Sequence, residues 1–220
     1  MQVHSVISNT IPEEVLHRGH LSVRFFTDGF AILLEDGQYT PLVLNRFSSE
    51  THLSLFHYIQ QCEHWLKKHS LLGEFSAEVT ILPNTLSAIC VHDSVFSEDH
   101  SRYYLQQTNR IGADETTLER KLRNRPFQIV YSVPDALIDF SKKFGGEHRI
   151  LHVSECLLSA SDQVDASDHQ RGFLLVEWQV DMLEILMIRE DRLILSNRYR
   201  LKGPDDLAYH ILNTIQQLEL

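Results

Sequence analysis

Alternating apolar and polar residues predict three strands and a helix in the last quarter of the chain. The strands are 173–178 (FLLVEW), 182–188 (MLEILMI) and 192–200 (RLILSNRYR), and the helix is 204–218. Short polar turns at 179–181 and 189–191 separate the strands. Short turns of this kind are typical of an antiparallel meander. The pattern therefore predicts a β-β-β-α unit at this end of the chain.

The same order of elements is predicted near the start of the chain. Strands at 21–26, 30–35 and 39–47 precede a helix that starts at about Glu50, with its N-cap at Ser48-Ser49. A shift of 152 residues places Leu21 on Phe173 without a gap, since 173 − 21 = 152. The same shift places Asn45-Arg46-Phe47 on Asn197-Arg198-Tyr199. We therefore predict that the unit is duplicated.

The residues between the two units predict a mixture of strands and helices. Strand 77–83 follows a helix, so a right-handed crossover would make it parallel to an earlier strand. The other predicted elements are a strand at 86–92 hairpinned through Asn84-Thr85, a helix at 95–108, a part-helical stretch at 110–125, a strand at 126–134, a helix at 135–144, a strand at 149–153 and a helix capped by Ser154.

Composition along the chain predicts four segments. Residues 1–20 form an N-terminal arm, and 21–158 form the first subdomain. Residues 159–172 (SASDQVDASDHQRG) are small and polar without apolar periodicity, which indicates a flexible connection. Residues 173–220 form a second, shortened subdomain.

Charge and cysteine usage exclude several classes of protein. The 220 residues are 43% hydrophobic, enough to fill a core, and their formal net charge is −10. This charge disfavours general binding to nucleic acid or anionic membrane. No apolar run reaches the roughly 20 residues of a membrane span, and the first residues lack the pattern of a signal peptide. Three scattered cysteines predict free thiols in a reducing cytoplasm.

The chain resembles a family of uncharacterised bacterial proteins with an actin-like ATPase fold, within the ribonuclease H-like superfamily. The resemblance rests on the segments LSVRFFTDGF, QIVYSVPDALIDF, RILHVSECLL and LILSNRYRLKGPDDLAYHILNTIQQL, and spans roughly residues 20 to 220. It implies an α/β protein: a duplicated ribonuclease H-like fold of two subdomains with a cleft, whose mixed β-β-β-α sheets carry flanking helices. A fold of this kind implies no activity by itself.

Actin-like ATPases hold phosphate with two turns, one in each unit, that combine an acid with glycines. The first turn here offers Asp28 and Gly29 as weak candidates for a cofactor site, but Phe30 follows them. The second offers Asp181 without any glycine. Asp-Gly is also a common hairpin turn. We therefore predict no cofactor and neither hydrolysis nor tight binding of ATP.

Other chemistry has weaker support in the sequence. His52, His57, His64 and His69 share one predicted helix without a metal-ligand spacing, so no metal site is predicted. Ser154 lies in no G-x-S-x-G elbow, so no catalytic residue is predicted. A basic patch is formed by Arg120, Lys121, Arg123 and Arg125, which predicts a solvated helix face, with a local anionic partner as the alternative. The strand acids Glu177 and Glu184 do not make a two-metal site.

The recurring arginines Arg46 and Arg198 are the candidate contacts to a cleft or a partner. Our leading hypothesis is a non-catalytic, cytoplasmic actin-like module that binds an unknown protein or itself. Such a module would not bind nucleic acid in general and would not insert into a membrane. The alternative is an ATP-dependent small-molecule kinase or ATPase of the same superfamily.

Overall fold

This computed structural model describes residues 2–5, 11–51, 53–73, 75 and 77–218 of the protein. The strands, in chain order, are β1 (Gln2–Ser5), β2 (His20–Phe26), β3 (Gly29–Glu35), β4 (Pro41–Ser48), β5 (Glu78–Leu82), β6 (Ala88–His92), β7 (Glu115–Lys121), β8 (Phe127–Pro134), β9 (His148–Ile150), β10 (Phe173–Trp178), β11 (Met182–Arg189) and β12 (Arg192–Arg200). The helices are α1 (Val15–Arg18), α2 (Leu55–Lys68), α3 (Ser101–Gln106), α4 (Asp135–Ser141), α5 (Val153–Ser161), α6 (Ala166–Arg171) and α7 (Pro204–Gln217).

The chain divides into two compact units. Met1–Asn84 and Val133–Leu151 form the first unit, and Thr85–Ser132 and His152–Leu220 form the second. This division differs from the predicted boundaries, because residues 85–132 were expected in the first subdomain and instead belong with the second unit. The fold is mixed α/β, as predicted.

The first unit contains a six-stranded sheet in the order β1-β4-β3-β2-β5-β9. Strands β2, β3 and β4 form the predicted antiparallel meander. Strand β5 pairs with β2 in parallel, which confirms the crossover prediction, and β9 continues the parallel side. Alternate residues of β2 and β3 are buried, so one face of the meander belongs to the core. Strands β2, β3 and β4 are thus antiparallel, and β5 and β9 extend the same sheet in parallel with β2.

Helix α2 begins later than predicted. Its N-cap is Ser54, whose side chain accepts a hydrogen bond from the backbone N–H of His57. Ser48, part of the predicted cap, is instead the last residue of β4. Ile59, Cys62 and Leu66 form a buried stripe along the helix.

The second unit contains two three-stranded sheets, β10-β11-β12 and β6-β8-β7. The first of these is the predicted meander, antiparallel throughout. Its central strand β11 is buried at every position from Met182 to Ile188, so both faces of that strand are covered. Leu207 and Ile211 of α7 pack on one face, against a core that includes Leu183 and Ile185.

Several local predictions were wrong between residues 1 and 172. β6 does not hairpin with β5; it pairs antiparallel with β8, in another sheet. The stretch 110–125 contains strand β7 rather than a helix. Residues 1–20 are not only an arm, because they include β1, paired with β4, and α1. The predicted flexible connection 159–172 contains the end of α5 and all of α6, with Ser161 and His169 buried.

The two meanders share their strand order but not their register. Leu21 pairs with Leu34 in the first unit, and a constant shift of 152 would place Phe173 opposite Leu186. Phe173 instead pairs with Ile188, because the connection from β10 to β11 is two residues longer. The prediction of an ungapped superposition is therefore wrong, whereas the recurrence of the β-β-β-α order is observed.

Candidate functional site

The turn that would hold phosphate in the first unit carries an ion pair. Thr27 and Asp28 connect β2 to β3, and Phe26 pairs with Gly29 across the turn. The Arg46 guanidinium, from β4, donates to Asp28 Oδ1 at 2.7 Å. It also lies 3.8 Å from the centre of the Phe26 ring, within the range of a cation–π contact. The carboxylate of Asp28 is therefore already neutralised by a neighbouring cation.

Gly29 is needed for space rather than for an unusual backbone angle. A Cβ at this position would lie 1.9 Å from the carbonyl oxygen of Phe47 in β4. Gly29 does not have a positive φ; Gly73 and Gly172 are the described glycines that have one. The glycine thus lets two strands approach each other, which is a structural requirement of the sheet.

A further polar contact at this turn was missed by the sequence analysis. Asn84, two residues after β5, donates from Nδ2 to Thr27 Oγ1 at 2.8 Å. Because β5 lies beside β2, the end of one strand reaches the turn after the other. The pairing is nonlocal, and only the predicted parallel crossover could have indicated it.

The corresponding turn of the second unit is closed by backbone hydrogen bonds, one within the turn and one from the residue after β12. The N–H of Gln179 donates to the carbonyl of Met182 at 2.8 Å, and the N–H of Leu201 donates to the carbonyl of Asp181 at 2.8 Å. Val180 is 60% exposed at the tip. The turn therefore has the geometry of a closed hairpin, and one N–H that could have faced a phosphate is used within it.

The second arginine of the repeated Asn-Arg pair lies in the interior of the second unit. Arg198 of β12 is directly opposite Glu184 of β11, and its Nη2 donates to Glu184 Oε2. Its Nη1 donates to the carbonyl of Thr85, and the hydroxyl of Ser154 donates to Glu184 Oε1. The side chain of Arg198 is 6% exposed and that of Glu184 is fully buried. Arg198 therefore does not lie on an exposed surface, contrary to its predicted role as a contact residue.

The start of α5 borders this buried cluster. His152, not Ser154, is the N-cap: its Nδ1 accepts from the Ser154 N–H at 3.2 Å, while Glu155 Oε1 accepts from the His152 N–H at 3.1 Å. Burial, and then the nearby Arg198 charge, hold the pKa of His152 well below its usual value. Burial likewise raises the pKa of Tyr131, whose ring lies 5.2 Å from that of His152. The cap prediction at Ser154 was wrong because the serine hydroxyl is used by Glu184.

The remaining candidates are dispersed or paired. Within the described residues, no group of three or more His, Cys, Asp or Glu side chains could hold a metal ion. His57 contacts Ser54, and His52 lies outside the described residues. In the basic patch Arg120 pairs with Glu155, Lys121 with Asp93 and Arg125 with Asp162. Glu177 lies opposite Glu184 in the ladder, but Glu184 is already bound to Arg198 and Ser154.

Residues 10–220 match the family described as "Protein of unknown function (DUF3822)". The chain belongs to this family. None of the curated proteins compared with it matches. No helix in the described part of the family member is long and apolar enough to cross a membrane.

Solved structures show the fold of this DUF3822 protein. A Bacteroides thetaiotaomicron protein "with actin-like ATPase fold and unknown function" is similar with a TM-score of 0.78 and 17% identity, over 92% of this chain and 78% of that one. The "PilM-PilN type IV pilus biogenesis complex" is similar with a TM-score of 0.56 and 12% identity, over 84% of this chain and 62% of that one. The DUF3822 protein therefore has the actin-like ATPase fold.

Proposed function

We propose that this DUF3822 protein is a non-catalytic, cytoplasmic member of the actin-like fold that acts as an interaction or assembly module. The observation that carries the proposal is the ion pair between Asp28 and Arg46 at 2.7 Å. In an actin-like ATPase the acid of this turn positions Mg²⁺ through its waters. A guanidinium bound to the same carboxylate cancels its charge and repels a divalent cation.

The second turn adds to this argument. Phosphate binding by two turns needs successive backbone N–H groups aimed at one anion. The Gln179 N–H donates within its own hairpin, and the β-branched Val180 resists the positive φ that would turn its N–H toward a ligand. Neither turn is therefore arranged to close on a nucleotide.

The interaction role is supported by the kind of neighbour that shares the fold. PilM is solved in complex with PilN, a protein partner, and its structure is similar to this chain at the level of fold. The cytoplasmic location is supported by the three cysteines, none of which forms a disulfide in the described part of the chain. Affinity capture from native cells followed by mass spectrometry would identify the partner.

The deciding experiment is calorimetric titration with Mg-ATP alongside a phosphate-release assay. We expect neither heat of binding in the low micromolar range nor phosphate release. Asp28→Ala is the test variant, and Asp139→Ala is its control, because Asp139 is a largely exposed aspartate that also pairs with a cation, Lys142, at 2.9 Å. Low-micromolar binding that Asp28→Ala abolishes and Asp139→Ala retains would overturn the proposal and favour the ATP-dependent kinase or ATPase.

A further inference from the structure

Strand β10 forms one edge of its three-stranded sheet. Its hydrogen-bonding pattern follows from the turn, where the Gln179 N–H donates to Met182. Because hydrogen-bonded and non-hydrogen-bonded pairs alternate in an antiparallel ladder, Glu177, Leu175 and Phe173 point their backbone groups at β11. The backbone groups of Leu174, Val176 and Trp178 therefore point away from β11, toward the edge of the sheet that pairs with no other described strand.

The same alternate residues present apolar side chains. Val176 is 41% exposed and Trp178 is 61% exposed. They lie on the face of the sheet that α7 covers, since their ladder partners Ile185 and Leu183 belong to the core against which α7 packs. A half-open apolar strip thus runs along the edge.

The two edges of this sheet are built differently. Natural sheets protect an edge with charged side chains, bulges or prolines. Strand β12 carries Arg192 and Arg200, and its ladder with β11 is irregular between Met187 and Ile188. Strand β10 carries one charged side chain, Glu177, has no arginine, lysine or proline, and its ladder is regular over all six residues. The β12 edge is thus protected against pairing, whereas the β10 edge has the features of a strand that pairs with another.

We propose that β10 pairs antiparallel with β10 of a second copy of this chain about a two-fold axis. The register that uses all three outward-pointing residues places Val176 opposite its own copy and Leu174 opposite Trp178. Each such pair exchanges two backbone hydrogen bonds. The pairing joins the two sheets into one and removes both open edges.

Charge selects this register over its neighbours. With Val176 at the two-fold axis, Glu177 lies opposite Leu175 of the other copy. A shift toward Trp178 would place Glu177 directly opposite its own copy, and like charges in that position are destabilising. A shift in the other direction would leave Trp178 opposite Gly172, which has φ +90, caps helix α6 and lies outside the strand. The sequence of β10 is therefore complementary to itself in one register.

The dimer gives the proposed assembly role a defined surface. The dimer proposal rests on that role only where it selects a second copy of the chain as the partner. Six-residue edge pairing is a small interface, so we expect a Kd in roughly the micromolar range. Light scattering coupled to gel filtration, at about 100 µM loaded protein, should show a mass approaching twice that of the 220-residue chain. Val176→Lys should weaken the dimer at least about tenfold, because two lysines would face each other at the axis.

Ile194→Lys is the matched control, because Ile194 is 47% exposed on the other edge strand, β12. It should leave the dimer intact. A monomeric wild type, a dimer that survives Val176→Lys, or a dimer lost equally in both variants would each overturn the proposal. Circular dichroism checks that both variants fold.

Amide exchange of the wild type provides a test that needs no variant. The amides of Leu174, Val176 and Trp178 should exchange more slowly as protein concentration rises, while those of Leu175 and Glu177 should be protected throughout. Equal rates at low and high concentration would contradict the pairing. If the protein bound Mg-ATP and still formed the dimer, the non-catalytic role would be refuted and the dimer proposal would stand.

Discussion

Replacing Glu184 with glutamine removes one charge from the interior of the second unit and keeps the shape of the side chain. The carboxylate is fully buried and accepts from the Ser154 hydroxyl and the Arg198 guanidinium. In Glu184→Gln the amide oxygen can still accept a hydrogen bond from Ser154. The amide nitrogen then faces the Arg198 guanidinium, and because both groups are donors, no hydrogen bond forms between them. Arg198, with 6% of its side chain exposed, cannot turn to water.

The expected cost follows from the burial of both partners. Removing one partner of a buried ion pair destabilises a protein by about 3 to 5 kcal/mol, because the other charge stays buried without compensation. The Thr85 carbonyl still holds Arg198 Nη1, so we expect a value near the lower end, about 3 kcal/mol. For a protein of this size that corresponds to a fall in Tm of roughly 6 to 12 °C.

Urea unfolding followed by tryptophan fluorescence can measure the loss of stability of the second unit, which contains Glu184. The chain has two tryptophans, Trp65 in the first unit and Trp178 in the second. In a Trp65→Phe background, the emission of Trp178 reports unfolding of the unit that contains Glu184. A lower urea midpoint at an unchanged slope would mean a loss of stability rather than a change in the surface exposed on unfolding.

A double-mutant cycle tests whether the cost comes from the ion pair. Arg198→Met removes the stranded cation, so its combination with Glu184→Gln should cost clearly less than the sum of the two single changes. A loss below about 1 kcal/mol for Glu184→Gln would refute the argument, since that is the cost of a surface pair. Additive single costs would refute it equally, because they would show that the two side chains do not stabilise each other.

Two further predictions follow from buried groups. Burial lowers the pKa of His152 in the folded protein. At a pH between that pKa and the ordinary value of about 6.5, the unfolded chain binds more protons than the folded chain. The free energy of unfolding should therefore fall as the pH drops from about 7.5 to 5.5. His152→Asn, which keeps a capping side chain, should flatten this dependence relative to the control His64→Asn at an exposed position; equal slopes would contradict it. Of the three cysteines, exposed Cys156 alone should react rapidly with Ellman's reagent, because Cys62 is buried and burial raises the pKa of Cys90 to about 11; two fast thiols would contradict this.

Elements with a regular pattern of apolar residues were readily predicted from the sequence. The three strands of each meander alternate in burial or form continuous apolar runs, and every one of them was found within two residues of its predicted bounds. The same holds for α7, which starts at Pro204 as predicted. Periodicity records burial, so it is informative wherever a strand or helix packs on one side.

Strand β7 shows why the rest could not be predicted. Its residues are mostly half-buried on both faces and are rich in Glu, Thr and Lys, so no alternation marks it. The pairing of β6 with β8 joins residues about forty apart, which no local pattern encodes. The hydroxyl of Ser154 was assigned to a cap for the same reason: its acceptor, Glu184, is 30 residues away in sequence.

The two Asn-Arg pairs show how a shared motif can have different roles. Arg46 lies opposite Ala31 in its ladder and reaches back to Asp28, whereas Arg198 lies opposite Glu184 itself. The cross-strand neighbour therefore decides whether the arginine stays at a turn or enters the core. The register of β10 on β11 also differs from that of β2 on β3, because the connection after β10 is two residues longer. We therefore expect Arg46→Met to cost only about 1 to 2 kcal/mol, the sum of a half-exposed ion pair and one cation–π contact. A cost equal to that of Arg198→Met would mean that the turn of the first unit depends on its arginine as strongly as the buried cluster does.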